Sequence, residues 1–562
     1  MFLKFKAGSS KTTPPRGSFD LRGSKLGLPL SYGGLGNKYY DQLVMEPDKI
    51  LQVDLVNNIT ETRGSVRSRS IQVAVEMRDR GVRLNDIILI SSRSHAHQTI
   101  VVLATLFLGA IVAPLNPDSP YRECLELVRK LKPRMCFCDS RTVSQIERIL
   151  ATLNIVCDVV NFGNDHAGTI QFCKLFPYRE PDWFKPVFID RPENEVAFIL
   201  PTQGTCAEPK LTCLSHHNVY TQTCLFMEIF DRPSKVISFF PLSWIVQTVL
   251  CCASFDYGVL RILPGSFNER SACKLIQDFV VDTAILGTDL TLKLIENVAI
   301  RDYNLDCLKC ALVGVVSTTR SDLHHMRRLL PDVKLLQVYF TTETGFITAV
   351  SSANYAAALS KPGSVGRILH NGKIKILALK SRERVGPHEY GELYFSGDGV
   401  MLGYFKDNSA TLTTMEKGYF KSGDVAQYDD DGWLYLRGRV DDIIHVSADN
   451  FYFPVAIEDV ILSHPTVCDA AVIGNAAELI ACVQKKSEST LTADKLMSYI
   501  SERSPDHRKL TKIIFYDEFP RTATGSIKKR LLREEILKVK IEYTRSLASI
   551  GASNHISGGP AY

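Results

Sequence analysis

The chain has 562 residues, more than a single core usually holds, so a large layered body with at least one appended domain is expected. Its 45% hydrophobic and 23% charged residues exclude collagen-like, disordered and membrane-embedded classes. A net charge of +5 spread over 66 basic and 61 acidic residues argues against the clustered basic face that a nucleic-acid ligand needs.

Residues 1–36 are rich in Gly, Ser and Lys/Arg and read as a flexible basic arm; their scarcity of acids also faintly resembles a transit peptide, the lesser reading. The sequon Asn58-Ile59-Thr60 has no apolar signal segment to send it to a glycosylating compartment, so it is expected to be unused. Short β-rich runs, Asp86 to Ser91, Ile111 to Pro114 and Arg134 to Cys138, alternate with helical patterns such as Tyr121 to Leu131, which predicts βαβ units. The apolar stretch from Thr99 to Pro114 is interrupted by Gly109 and too short for a bilayer, so it reads as a buried helix running into a strand. The 15 cysteines fall at irregular spacings, many in apolar runs, and suggest free thiols in a reducing compartment. The pair Cys307 and Cys310 has no second pair nearby and reads as structural rather than zinc-binding.

From about residue 385 the texture changes to Gly-Asp turns between short strands, a small β subdomain that ends near Trp433-Leu-Tyr-Leu436. The charged run Arg437-Gly-Arg-Val-Asp-Asp442 is the predicted boundary. Beyond it, strands at Ala470 to Ile473 and Leu479 to Val483 alternate with helices at Pro454 to Leu462 and Ala493 to Arg503, giving a second domain over 443–545 and a loose tail over 546–562.

The segment Pro201-Thr-Gln-Gly-Thr-Cys-Ala-Glu-Pro-Lys210 follows a strand-like run, Val196 to Leu200, and precedes a helix opened near Ser215 to Asn218. Such a loop can aim backbone N–H groups and a hydroxyl at phosphate, with a lysine as counter-charge, though Gly and Thr there also make an ordinary turn. Its company decides: Gln337-Val-Tyr-Phe-Thr-Thr-Glu-Thr-Gly345, Gly391-Glu392, Gly403-Tyr404, Gly418-Tyr-Phe-Lys-Ser-Gly423-Asp424 and Gly438-Arg439 follow in order. In this order and spacing the chain resembles the adenylate-forming superfamily of acyl-CoA synthetases, 4-coumarate-CoA ligases and beetle luciferases, from about Leu51 to Arg533.

The resemblance implies an α/β fold with a large multi-subdomain N-terminal, AMP-binding body over 37–436, a hinge over 437–442 and a small mobile C-terminal α/β lid. It also implies ATP, Mg²⁺ and coenzyme A, with a small carboxylic acid as the other substrate. Residue by residue, Gly204, Thr205 and Lys210 would meet phosphate. Thr342 and Glu343 would be the phosphate contact and the Mg²⁺ carboxylate. Tyr339 would stack on adenine, Asp424 would bind ribose with Arg439 assisting, and Asp441 would be the hinge. Trp244 stands where the family places an aromatic lid on the acyl pocket, and an indole among Phe239, Phe240 and Leu242 reads equally well as core.

The chain also departs from the pattern. The family loop Ser-Ser-Gly-Thr-Thr-Gly-x-Pro-Lys-Gly is altered at Gln203, Cys206, Ala207 and Leu211, and Ala448 replaces a glycine after the hinge. In Pro520-Arg-Thr-Ala-Thr-Gly-Ser-Ile527, Ser526 stands in place of the adenylating lysine. The expected activity is therefore a slow or unusual carboxylate-CoA ligase, with a catalytically impaired ATP- or acyl-binding sensor as the alternative. The closing Gly559-Pro-Ala-Tyr562 lacks the peroxisomal tripeptide of many relatives, which favours cytosol, with the mitochondrion less favoured.

Overall fold

The computed structural model describes residues 20–28, 32–163, 166–176, 183–202, 209–314, 318–445, 451–474, 479–487, 489–503, 510–521 and 527–536. Within them the chain forms two compact units that divide between Leu436 and Arg437.

Among the described residues the larger unit has four sheets, of eight, seven, six and three strands. In the eight-stranded sheet, Ile87–Ser91 pairs in parallel with both Ile111–Leu115 and Met135–Cys138. All three strands are buried throughout, the continuous apolar pattern that a parallel sheet covered on both faces requires. The crossover helix Ala96–Phe107 buries every residue except His97 and feeds the Ile111–Leu115 strand, so the longest apolar stretch is core. Among the described residues no helix is long and apolar enough to cross a membrane. The seven-stranded sheet has parallel strands at Lys235–Ser238, Leu260–Leu263, Thr283–Ile285, Cys310–Leu312 and Lys334–Leu336. Cys310 opens one of these buried strands, and Cys307 donates its thiol to the Ile276 carbonyl. Burial pushes both thiols up, as for structural cysteines. Every described cysteine is free.

The eight-stranded sheet ends in an antiparallel edge. Val196–Pro201 joins Ile111–Leu115 in parallel; Leu211–Ser215 then pairs antiparallel on it, and Gly403–Tyr404 antiparallel on that. Segments far apart in sequence thus lie side by side there. The His216–Ile229 helix starts directly from this edge, its first turn closed by a capping box between Ser215 and Asn218.

The six-stranded sheet corrects one expectation. Residues 20–28, expected within a flexible arm, are tied down: Leu21–Arg22 pairs with the Gly372–Leu377 strand, Leu21 is buried, and Asp20 pairs with Arg384 at 3.0 Å. Asn371 Oδ1 also accepts the Leu26 N–H at 2.6 Å. The Arg437 to Asp442 run is likewise not a loop throughout, since Leu434–Arg439 is a strand and Val440–Asp442 a 3₁₀ turn.

The smaller unit has a three-stranded sheet of Val467–Gly474, Leu479–Lys485 and Leu510–Tyr516. Helices Pro454–Leu462 and Ala493–Arg503 pack on it through Ile457, Ile461, Leu496 and Ile500. Proline at the first helical position suits the start of the former, where its missing N–H leaves no intrahelical bond unmade.

Candidate active site

Glu343 sits in a tight turn between antiparallel strands Val338–Thr341 and Gly345–Ala349. The turn is closed by the Thr344 N–H on the Thr341 carbonyl and by a 3.0 Å contact between the two threonine hydroxyls. Thr342 and Glu343, half-buried, occupy its tip. The Glu343 carbonyl accepts the Met401 N–H at 2.7 Å, which fixes the turn to the segment leading into Gly403–Tyr404.

That second segment supplies a group whose role its sequence does not announce. The Tyr404 hydroxyl donates to Glu343 Oε1 at 2.8 Å. Burial, and then the Glu343 charge, push the Tyr404 phenol well above its usual range, so it stays a donor at any physiological pH. Lys210 Nζ lies 4.7 Å from the centre of the same ring, a cation–π contact. The Lys210 backbone is fixed by its neighbour across the loop: Thr202 Oγ1 accepts the Lys210 N–H at 3.0 Å, and the Lys210 carbonyl accepts the Thr202 N–H at 2.7 Å. Lys210, Tyr404 and Glu343 therefore form one connected group, built from three segments of the sheet edge and the adjoining turn.

Glu343 Oε2 has no partner among the described residues. A single carboxylate with one free oxygen fits a cation of the Mg²⁺ type, which keeps waters and takes most of its remaining ligands from phosphate. Among the described residues no three His, Cys, Asp or Glu side chains are grouped to hold a metal by themselves. A divalent ion here would need the nucleotide as co-ligand.

Asp424 stands on the Tyr419–Tyr428 strand where its pairing with Gly391–Gly397 slips register, between Glu392 and Tyr394. The slip puts Ser422 to Asp424 on a bulge, a device that re-aims a side chain out of the ladder. Ser422 Oγ accepts the Asp424 N–H at 3.0 Å, and the Tyr339 hydroxyl donates to Asp424 Oδ2 at 2.5 Å. Tyr339, expected to lay its ring on adenine, is only 7% exposed and belongs to an apolar cluster with Ile347, Ile374 and Leu393. Its hydroxyl holds Asp424, the residue expected to bind ribose.

Trp244 is the N-cap of the Ile245–Tyr257 helix, half-buried and stacked on Phe240 with centroids 4.7 Å apart and planes 12° off parallel. Its indole Nε1 is buried without a partner among the described residues. Arg439 ends the Leu434–Arg439 strand, and Asp441 lies in the following 3₁₀ turn with its carbonyl accepting Arg533 Nη1 at 2.9 Å. Gly204, Thr205 and Ser526 fall outside the described residues, as do Gln203, Cys206, Ala207 and Ala448. The segment that contains Ser526 is flanked by an antiparallel bridge between Arg521 and Ile527.

An α/β body with this turn at its sheet edge, followed in sequence by a small α/β unit, is the architecture of an adenylate-forming enzyme. The chain belongs to the AMP-binding enzyme family: residues 40–405 match it, and residues 456–526 match the AMP-binding enzyme C-terminal domain. It is 26% identical over 490 residues to luciferin 4-monooxygenase of Photuris pensylvanica, covering 84% of this chain and 89% of the relative. It is 25% identical over 475 residues to 4-coumarate–CoA ligase-like 6 of Arabidopsis thaliana, covering 82% of each. The fold is shared with ATP-bound MatB from Rhodopseudomonas palustris at a TM-score of 0.79 and 19% identity, over 90% of this chain and 99% of that one.

Proposed function

We propose that the protein is an acid–thiol ligase of the acyl-CoA synthetase type, slow or tuned to an unusual acid. A substrate carboxylate attacks the α-phosphorus of ATP, pyrophosphate leaves, and the thiol of coenzyme A then attacks the acyl carbon and releases AMP. The chemistry asks the protein for placement and for neutralisation of phosphate charge rather than for a nucleophile. The observation that carries the reading is the connected group of Lys210, Tyr404 and Glu343, which keeps one cation and one carboxylate at the same sheet edge.

In this reading Lys210, with Gly204 and Thr205 beside it in sequence, meets the phosphates, and Thr342 adds a hydroxyl. Glu343 holds Mg²⁺, which when bound would shield the phosphate oxygens. Asp424, oriented by Tyr339, binds the ribose hydroxyls, with Arg439 assisting. Trp244, stacked on Phe240, walls the acyl pocket, and Asp441 is the hinge. Cytosol is the proposed compartment.

A second reading, an ATP- or acyl-binding sensor, is favoured by the loss of the lysine at Ser526 and by the engagement of Lys529. Lys529, three residues on, is held by Glu458 at 2.7 Å and is not available for transfer chemistry. Lys528 donates its backbone N–H to the Pro520 carbonyl and stands just before the helical residues 529–536, leaving its ammonium without a partner among the described residues. Among the described residues it is the nearby lysine left to stand in for the missing one, which would favour the ligase. ATP–pyrophosphate exchange over a panel of fatty and aromatic acids decides between the two: exchange with any acid supports the ligase, and nucleotide binding without exchange supports the sensor.

A further inference from the structure

Gln222 lies in the middle of the His216–Ile229 helix, 2% exposed, in a position where an apolar residue would normally pack. Its carboxamide bonds to the backbone where the Glu343 turn passes into the Gly345–Ala349 strand. Oε1 accepts the Phe346 N–H at 2.7 Å, and Nε2 donates to the Thr344 carbonyl at 3.3 Å. The amide thus bonds the backbone on either side of Gly345.

Two glycines make room for it. A Cβ on Gly345, whose φ is +63°, would fall 2.1 Å from Gln222 Cδ, and one on Gly399 would fall 2.0 Å from Nε2. Gly399 lies in the segment that delivers Met401 to the Glu343 carbonyl. One helical turn earlier, Asn218 Nδ2 donates to the Asp398 carbonyl at 2.8 Å and so holds the same segment. A single helix face grips both sides of the carboxylate: the turn that carries Glu343 and the segment that carries its donor, Tyr404.

We infer that Gln222, seconded by Asn218, is a positioning residue that sets the Glu343 carboxylate for the metal–nucleotide, an inference that rests on Glu343 being the Mg²⁺ ligand. Helix His216–Ile229 also begins at the strand after Lys210, so the cation and the carboxylate are referred to one rigid element. Buried polar side chains that are fully bonded fix a geometry in this way, because any other arrangement would leave the amide and two backbone groups unsatisfied.

The test is calorimetric titration of the full chain with MgATP and, separately, with ATP in excess EDTA. Gln222→Met keeps the volume and removes both hydrogen bonds; Gly399→Ala keeps Gln222 and displaces its amide, and so serves if the first variant folds poorly. Each should weaken MgATP binding by about tenfold, the worth of the lost bonds, while metal-free ATP binding changes by no more than about twofold. Equal loss in both titrations, or no loss in either, overturns the inference and makes Gln222 a general packing residue. Glu343→Gln is the control: if it leaves MgATP binding unchanged, the metal reading itself falls and the inference with it. If it weakens MgATP alone while Gln222→Met and Gly399→Ala do not, only the positioning role is wrong.

Discussion

Two glutamates, one in each unit, handle their charge in opposite ways. Glu343, half-buried at the tip of its turn, accepts one phenol and keeps an oxygen without a partner among the described residues. Glu458, buried in the Pro454–Leu462 helix, is taken up entirely by structure: the Val472 N–H at 2.6 Å and the Lys529 ammonium at 2.7 Å. Burial pushes the Glu458 carboxyl above its usual range even with Lys529 beside it, which marks how strongly it depends on that partner. Lys529 and Arg533 also approach the Asp442 carboxylate, at 4.0 and 3.6 Å. The lesson is that the body leaves one oxygen of its carboxylate unengaged among the described residues, whereas the small unit uses the cation beside its buried carboxylate to hold itself together.

The contrast can be broken most forcefully at Lys529. Lys529→Ala should leave Glu458 buried without a counter-charge and cost the small unit about 3–5 kcal/mol, read as faster hydrogen exchange over 454–462 and 467–474. Replacing both partners, Glu458→Leu with Lys529→Met, should recover most of that loss; no recovery would mean that the pair has a role beyond its own neutralisation.

Next in size is the chemistry at position 526. Ser526→Lys should raise pyrophosphate exchange on the order of 10²- to 10³-fold with MgATP affinity nearly unchanged, because a cation at the α-phosphate acts mainly as charge builds there. Lys528→Ala separates the remaining possibilities: it should abolish residual exchange if Lys528 substitutes for the missing lysine, and do little otherwise.

Tyr404→Phe sharpens the Glu343 side of the comparison. It removes a hydrogen bond to a charged group, worth about 1.5–3 kcal/mol, so MgATP binding should weaken roughly tenfold or more while the fold stays intact. Unchanged affinity would detach Tyr404 from the site.

The smallest effect is on pH dependence. Burial lowers His216 from 6.5 to about 4, with Nδ1 already accepting the Leu35 N–H. A depressed folded-state pKa means that the unfolded chain binds the proton first. His216's contribution is therefore whole above pH 6.5 and is lost as pH falls toward 4, at up to about 1.4 kcal/mol per pH unit. His216→Gln should make the acid limb of a stability–pH curve shallower by about one proton; an unchanged slope would show that His216 is not buried neutral.

Much of the architecture is readable in the chain, and the reason lies in locality. Helices Tyr121–Leu131, Pro454–Leu462 and Ala493–Arg503 fall where the sequence pattern places them, because apolar periodicity, Pro120 and Pro454 act within a few residues. The Glu343 turn is legible for the same reason, as a short motif whose chemistry is carried by neighbouring residues. Gln222 and residues 20–28 are not. Gln222 bonds to Thr344 and Phe346, more than a hundred residues away, and Leu21 pairs with Ile374. A polar residue on a helix and a basic terminal run give no local sign of such partners. Gly403-Tyr404 is visible as a motif, but the role of its hydroxyl depends on a strand pairing with Thr212 and Cys213 that no spacing reveals.

Whether the body keeps a competent nucleotide site, whatever has become of adenylation, is decided by titrating MgATP into the wild-type chain and into Asp424→Ala. MgATP should bind the wild-type chain at or below millimolar concentration, and the variant more weakly by about 1.5–3 kcal/mol, the worth of a charged hydrogen bond to ribose. No binding by the wild-type chain at millimolar MgATP, or equal binding by both proteins, would contradict it.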